Sequence, residues 1–394
     1  MDKCKKKSKN IVICMDGTGN TGGVARGTNV WRIYNSVDRF YEECEQITYY
    51  DDGVGTDSIR LLRLIGGAFG VGLQRKICDA YGFLAMNYEE GDRIFLFGFS
   101  RGAFTVRSLA GMICRCGLLE RKDFLSAGRC ERDRKVRRIL GAYRNEVEIK
   151  GCEGRGEFNM QQRQFRLGID DLPLRWVPIH FLGVWDTVDA VGGTLGGLSA
   201  WDWLWRRVFK RRWWGFHDND PHPDIRYACQ ALALDDERRT YSPKVWSRPN
   251  NALINPRRGI RQPGQVIEQV WFAGAHADVG GGYAKESLSL VPLHWMMCRA
   301  RERGLKFLHE KWNHYREAAD PHGRLHDSRT GFRMLYRYGR RRPEVAAHLP
   351  AIHESVFERI RRGTDYYAPK VVPDSRYIVV LSDFRLDRPG RIRP

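Results

Sequence analysis

Apolar runs alternate with amphipathic stretches along the first part of the chain. Ile11-Val12-Ile13-Cys14-Met15 contains no charged or amide side chain and breaks into Asp16-Gly17-Thr18-Gly19-Asn20. Ile47-Thr48-Tyr49-Tyr50 gives way in the same manner to Asp51-Asp52-Gly53-Val54-Gly55. Leu73, Ile77, Tyr81, Leu84 and Tyr88 then recur every three or four positions, which is a helical period. A third apolar run, Ile94-Phe95-Leu96-Phe97, is followed by Val106, Leu109, Ala110 and Ile113, again at helical spacing. Strands alternating with helices predict an α/β fold with a mainly parallel sheet and helices on both faces. Ile179 to Trp185, Val270 to Ala275 and Tyr377 to Leu381 extend the strand series.

Between these runs the text changes character. Residues from about 118 to 174 are highly charged and short of strand signals, and they read as an insertion packed over the sheet. A second insertion, about 195 to 216, is rich in Trp and Arg. Helical patterns dominate from about 288 to 360. No internal repeat or low-complexity linker separates these parts, so a single domain over 1–394 is expected.

Composition narrows the function classes. Lys and Arg number 66 against 47 Asp and Glu, a net charge of +19. Such a balance favours anionic partners such as phospholipid surfaces or nucleic acid. Part of the excess lies in runs such as Arg340-Arg341-Arg342, whose plain reading is a solvated basic surface. Ten cysteines at irregular spacings read as reduced thiols, and Cys114 with Cys116 makes a poor zinc signature. No apolar run approaches the roughly 20 residues needed to span a bilayer. The basic start, Met1 to Lys9, lacks the apolar core of a signal peptide. Synthesis in the cytoplasm is expected, and any export would use a route that reads no such signal.

The strand ends carry the chemistry. Gly98-Phe99-Ser100-Arg101-Gly102 is a G-x-S-x-G elbow between a buried strand and a helix, which presents the serine hydroxyl at the carboxyl end of the strand. A serine nucleophile needs a base, and the base needs an orienting acid. Asp186, after Val184-Trp185, and His276, after Gly274-Ala275, follow Ser100 in the chain order of α/β-hydrolases. Asp278 and Asp189 compete with Asp186 as the acid, and His353 competes with His276 as the base. An oxyanion would be held by the backbone N–H of Arg101, with Gly17 or Thr18 as the second donor. His276 and Asp278 lack further ligands at convincing spacing, so no metal and no cofactor is expected. Trp201, Trp203, Trp205, Trp213 and Trp214, interleaved with Arg206, Arg207, Lys210, Arg211 and Arg212, suit contact with an anionic membrane. Core packing and a nucleic-acid surface are the alternatives for that segment, nucleic acid being the weaker.

Asp16-Gly17-Thr18-Gly19-Asn20, Asp52-Gly53-Val54-Gly55-Thr56, the elbow, Val184-Trp185-Asp186-Thr187-Val188 and Gly274 through Tyr283 occur in this order. Together they resemble the α/β-hydrolase domain family that includes the catalytic domain of type VI secretion phospholipase effectors. The resemblance covers about 10 to 295, with a weaker echo at His353-Glu354-Ser355-Val356. It implies an α/β-hydrolase-like fold, a serine nucleophile and cleavage of phospholipid acyl esters, and it carries Ser100, Asp186 and His276 over as the triad. The expected function is therefore a serine hydrolase of carboxylic esters, phospholipids foremost. A soluble esterase or thioesterase, and a catalytically silent module on anionic surfaces, are the rivals.

Overall fold

The computed structural model describes residues 8–17, 27–52, 68–150, 164–165, 167–188, 220–238, 241–247, 264–328, 338–339, 341, 343, 349–369, 372 and 377–381. In chain order the elements are β1 (Asn10–Met15), α1 (Asn29–Ser36), β2 (Gln46–Asp51), α2 (Ala68–Asn87), β3 (Arg93–Phe99) and α3 (Arg101–Cys116). The charged region follows as β4 (Leu118–Leu119), α4 (Arg121–Ser126), α5 (Arg129–Lys150) and β5 (Leu174–Arg175). The sheet resumes with β6 (Ile179–Trp185), β7 (Ile225–Ala233) and β8 (Val266–Phe272). After them come α6 (His276–Gly280), α7 (Ser287–Glu302), α8 (His309–Ala318), β9 (Ala351–His353), α9 (Glu354–Arg362) and β10 (Ile378–Val380).

Eight strands form one sheet in the order β10-β9-β8-β7-β6-β3-β1-β2, and each neighbouring pair is parallel. β4 and β5 make a separate antiparallel pair. The pleat sends alternate side chains to opposite faces. Ile11, Ile13, Ile94 and Leu96 pack in one core with α2, α3 and α5. Val12, Cys14, Phe95 and Phe97 pack in another with α1 and α7. Burial on both faces explains why these strands read as unbroken apolar runs. The insertion near 118–174 is partly described, and its helix α5 packs against α2 and α3: Val136, Ile139, Leu140 and Tyr143 share their core.

A full-length strand not foreseen in the sequence, β7, lies between β6 and β8. Its buried Gln230 accepts from Thr187 Oγ1 at 3.0 Å and donates to Gln269 Oε1 at 2.9 Å and the Lys244 carbonyl at 3.1 Å. A satisfied amide can sit inside a sheet, but it interrupts the apolar signal. The strand near 270–275 also shifts: β8 begins at Val266 and stops at Phe272, and Gly274 turns the chain at φ 109°.

The topology fixes the location of any site. β1 is flanked by β2 on one side and β3 on the other, so the chain reverses its direction of winding there. In open parallel sheets ligands bind at such a switch point, outside the carboxyl ends of the strands. Here those ends carry Asp16 and Gly17, Ser100, Asp186, Asp235 and Asp236, and His276.

Candidate active site

Ser100 stands between β3 and α3 with φ 58° and ψ −119°, a conformation rare for a residue with a side chain. Two glycines make the turn. A Cβ on Gly98 would lie 2.6 Å from the Gly102 carbonyl, and one on Gly102 would lie 2.1 Å from the Met15 carbonyl. The second contact shows how closely α3 approaches the end of β1. Ser100 N–H donates to the Trp185 carbonyl at 3.1 Å, which ties the turn to the end of β6. Arg101 N–H belongs to the first turn of α3, where no intrahelical acceptor exists and the helix dipole favours negative charge.

Asp186 follows β6 directly, with φ 37° and no exposed surface. Its N–H donates to the Ala231 carbonyl at 2.8 Å, and its Oδ1 accepts from Ala233 N–H at 3.2 Å. Its Oδ2 meets His276 Nδ1 at 2.6 Å and accepts from Arg341 Nη2 at 2.9 Å. His276 opens α6 and is nearly enclosed. Its ring lies against Phe99, the neighbour of Ser100, at 4.6 Å between centroids, and against Tyr241 at 5.1 Å. With Nδ1 turned to Asp186, Nε2 is the nitrogen left for a hydroxyl.

The turn that carries His276 is held by three different carboxylates. Gly274 N–H donates to Asp235 Oδ2 at 2.6 Å, Ala275 N–H to Asp278 Oδ2 at 3.0 Å, and His276 N–H to Asp236 Oδ2 at 3.1 Å. Burial pushes the Asp235 carboxyl up to about 6. Burial acts the same way on Asp236, but hydrogen bonds from Arg238 and the charges of Arg341, Arg238 and His276 outweigh it and hold that carboxyl at about 2. Arg238 grips Asp236 through Nε at 3.0 Å and Nη2 at 2.6 Å. Asp236 and Arg341 were not singled out in the sequence: Asp236 lies beyond the unforeseen β7, and Arg341 sits in what reads as a solvated basic run. The structure corrects that reading, since Arg341 is 4% exposed.

The rival residues are engaged elsewhere. Asp278 Oδ1 meets His326 Nδ1 at 2.6 Å, and the His326 ring stacks on Tyr283 at 3.9 Å. His353 is buried at the start of α9, where its Nδ1 accepts from Ser355 N–H at 3.3 Å, and its ring stacks on Phe272 at 4.7 Å. Burial lowers its pKa to about 3. Gly17 N–H donates to Asp16 Oδ1 at 2.8 Å, so it would have to leave that acceptor to serve an oxyanion. Thr18, Asp189, Trp201, Trp203, Trp205, Trp213 and Trp214 lie outside the described residues. Among the described residues no group of three or more His, Cys, Asp or Glu side chains is placed to hold a metal ion. Among them, too, no helix is long and apolar enough to cross a membrane.

A parallel doubly wound sheet with a serine elbow at its switch point defines an α/β protein of hydrolase-like architecture. The family follows from comparison: residues 9–299 match the type VI secretion system (T6SS) phospholipase effector Tle1-like catalytic domain, and the chain belongs to that family. It is similar to an uncharacterised protein of Saccharomyces cerevisiae, 34% identical over 202 residues, covering 47% of this chain and 27% of the yeast protein. Among solved structures it is similar to an uncharacterised Pseudomonas aeruginosa protein, 17% identical, with a TM-score of 0.40 over 78% of this chain and 47% of the other. It is also similar to the Tle1 effector bound to the VgrG spike of the type 6 secretion system, 18% identical, with a TM-score of 0.33 over 70% of this chain and 51% of the effector. The chain thus spans 27% of the yeast relative and about half of each solved neighbour.

Proposed function

We propose that the chain is a serine hydrolase that cleaves acyl esters of phospholipids. The observation that carries this reading is the 2.6 Å contact between Asp186 and His276, at strand ends beside a serine in the elbow conformation. The family description, a phospholipase effector catalytic domain, supports the substrate class. In this reading Ser100 Oγ attacks the ester carbonyl while His276 Nε2 takes its proton. Asp186 holds the imidazole in the tautomer that leaves Nε2 unprotonated and stabilises the imidazolium that forms. The oxyanion faces the start of α3, with Arg101 N–H as a donor. The intermediate collapses, His276 passes the proton to the leaving alcohol, and the acyl group stays on Ser100. Water, activated by the same imidazole, then releases the fatty acid and restores the serine.

The experiment is hydrolysis of mixed phospholipid vesicles with product analysis, run beside labelling by a fluorophosphonate probe. Wild-type protein should release fatty acid and take up the probe on Ser100, and Ser100→Ala should do neither while melting like wild type. Ester cleavage that survives in Ser100→Ala overturns the serine mechanism. Labelling with cleavage of soluble esters only would select the soluble esterase instead.

A further inference from the structure

The Asp186 carboxylate does not serve His276 alone. Its Oδ2 is shared between His276 Nδ1 at 2.6 Å and Arg341 Nη2 at 2.9 Å. The same guanidinium donates through Nε to the Asp236 carbonyl at 3.1 Å, and the Asp236 side chain accepts the His276 N–H. Arg341 therefore joins the orienting acid to the residue that anchors the backbone of the base. All four residues are almost wholly buried.

We infer that Arg341 is a positioning residue of this site. It pins the carboxylate oxygen used by His276 and sets a buried cation beside that carboxylate. This inference rests on the triad reading of Ser100, His276 and Asp186. The physical ground is twofold. A carboxylate oxygen with two donors at fixed directions has one orientation, and a base aimed through it is aimed more narrowly. A guanidinium on that oxygen also offsets the negative charge that would otherwise favour the imidazolium, and it does so in an enclosed site where screening is weak. The other groups facing His276 do not replace it. Asp236 and Arg238 at the end of β7 form their own ion pair, Tyr241 offers an aromatic ring, and Asp278 on α6 itself is turned to His326.

The test compares wild type, Arg341→Gln and Arg341→Lys in kcat, KM and the pH dependence of kcat/KM on a soluble ester. It adds fluorophosphonate labelling and the downfield proton NMR signal of the imidazole Nδ1–H. Gln keeps a donor without charge, and Lys keeps the charge without the fork. In Arg341→Gln, kcat should fall about tenfold or more with KM nearly unchanged, the signature of an aim lost in the transition state. The acid limb of its profile should move to higher pH by about half a unit or more. Arg341→Lys should keep the wild-type limb. Wild-type kcat and limb in a folded Arg341→Gln would overturn the inference. So would a limb in Arg341→Lys that moves as far as in Arg341→Gln. If Arg341→Gln fails to fold, the limb of Arg341→Lys decides alone, unmoved in support and moved against. If wild type does not label at Ser100, the triad reading has failed. The NMR signal then still reads the link between Arg341 and the Asp186–His276 pair: shifted in Arg341→Gln in support, unchanged against.

Discussion

The backbone N–H of Ser100 donates to the carbonyl of Trp185 at 3.1 Å, and Trp185 is the residue before Asp186. One backbone hydrogen bond thus fixes the serine against the strand end that delivers the carboxylate. Phe99 and Trp185 are register partners in β3 and β6, so the sheet ladder itself sets this spacing. The proposed nucleophile and acid are therefore placed by backbone, and their separation should resist side-chain substitution nearby.

That rigidity depends on the approach of α3 to β1. Gly102→Ala would put a methyl 2.1 Å from the Met15 carbonyl, with backbone on both sides of the conflict. The expected result is a loss of more than about 4 kcal/mol or no folded protein. Gly141, inside α5, has nothing within 4 Å of a built Cβ. Gly141→Ala should stabilise by about 0.5–1 kcal/mol, since it removes backbone freedom from the unfolded chain. Urea denaturation of the two variants checks both signs, and equal effects would show that the elbow is not so tightly packed.

Much of this could be read beforehand, and the exceptions have causes. β1, β3 and β6 were legible because burial on both faces leaves apolar runs without alternation. β7 was not, because Gln230 and three alanines weaken its strand signal while long-range hydrogen bonds supply the stability. Arg341 was hidden for another reason: its acceptor Asp186 is 155 positions away, and a run of three arginines reads locally as solvated surface. Ser100, Asp186 and His276 could be nominated together because each follows a strand, and parallel strands bring such positions to one edge.

The two candidate bases should separate in activity and in stability. His276→Ala should lower kcat on the order of 10⁴-fold or more. His353→Asn should leave kcat near wild type, since Asn can still cap α9. A reversal of the two effects would move the base to His353.

The pH dependence of stability follows from buried imidazoles. Burial lowers His353 to about 3, and His180 and His294 to about 4. In the unfolded chain these rings take up protons near pH 6.5, so below that pH the unfolded state binds more protons and stability falls until the native rings also titrate. Asp235, raised to about 6, opposes this between about pH 4 and 6, because there the native state holds the extra proton. Burial raises the carboxyls of Glu268 and Asp278 in the same direction, but the three imidazoles take up protons in the unfolded chain at higher pH, so the urea midpoint should still fall between pH 7 and pH 5. His353→Asn should flatten that fall, and a midpoint that does not drop would count against the buried, neutral rings.

Membrane contact can be tested at the Trp- and Arg-rich segment through its sequence. Basic residues near an anionic leaflet contribute about 1 kcal/mol each and lose it in salt, whereas interfacial Trp burial does not fade with salt. Replacing Arg206, Arg207, Lys210, Arg211 and Arg212 by Gln should remove the salt-sensitive part of liposome co-sedimentation. Replacing Trp213 and Trp214 by Ala should reduce the salt-resistant part. Hydrolysis of a short soluble ester should survive both sets, and unchanged sedimentation would assign the segment to packing.

Two of the candidate acids offer the sharpest contrast, because each has its own histidine. Asp186 contacts His276 Nδ1 at 2.6 Å, and Asp278 contacts His326 Nδ1 at the same distance. Asp186→Asn keeps the shape but can donate a hydrogen to Nδ1, which moves the imidazole proton to Nε2 and disables it as a base. The expected loss in kcat is about 10⁴-fold, with KM little changed. Asp278→Asn should act differently. Asp278 Oδ2 also accepts the N–H groups of Ala275 and His326, so the amide loses one charged acceptor serving two backbone donors. Hydrogen bonds to a buried charge are worth about 1.5–3 kcal/mol, and the loss should appear in the urea midpoint. Activity should fall only as far as the His276 turn loosens, well short of the Asp186→Asn effect. Measuring kcat and urea midpoint on both variants places each on one of two axes. An Asp278→Asn variant that melts like wild type and loses as much kcat as Asp186→Asn would make Asp278 the functional acid.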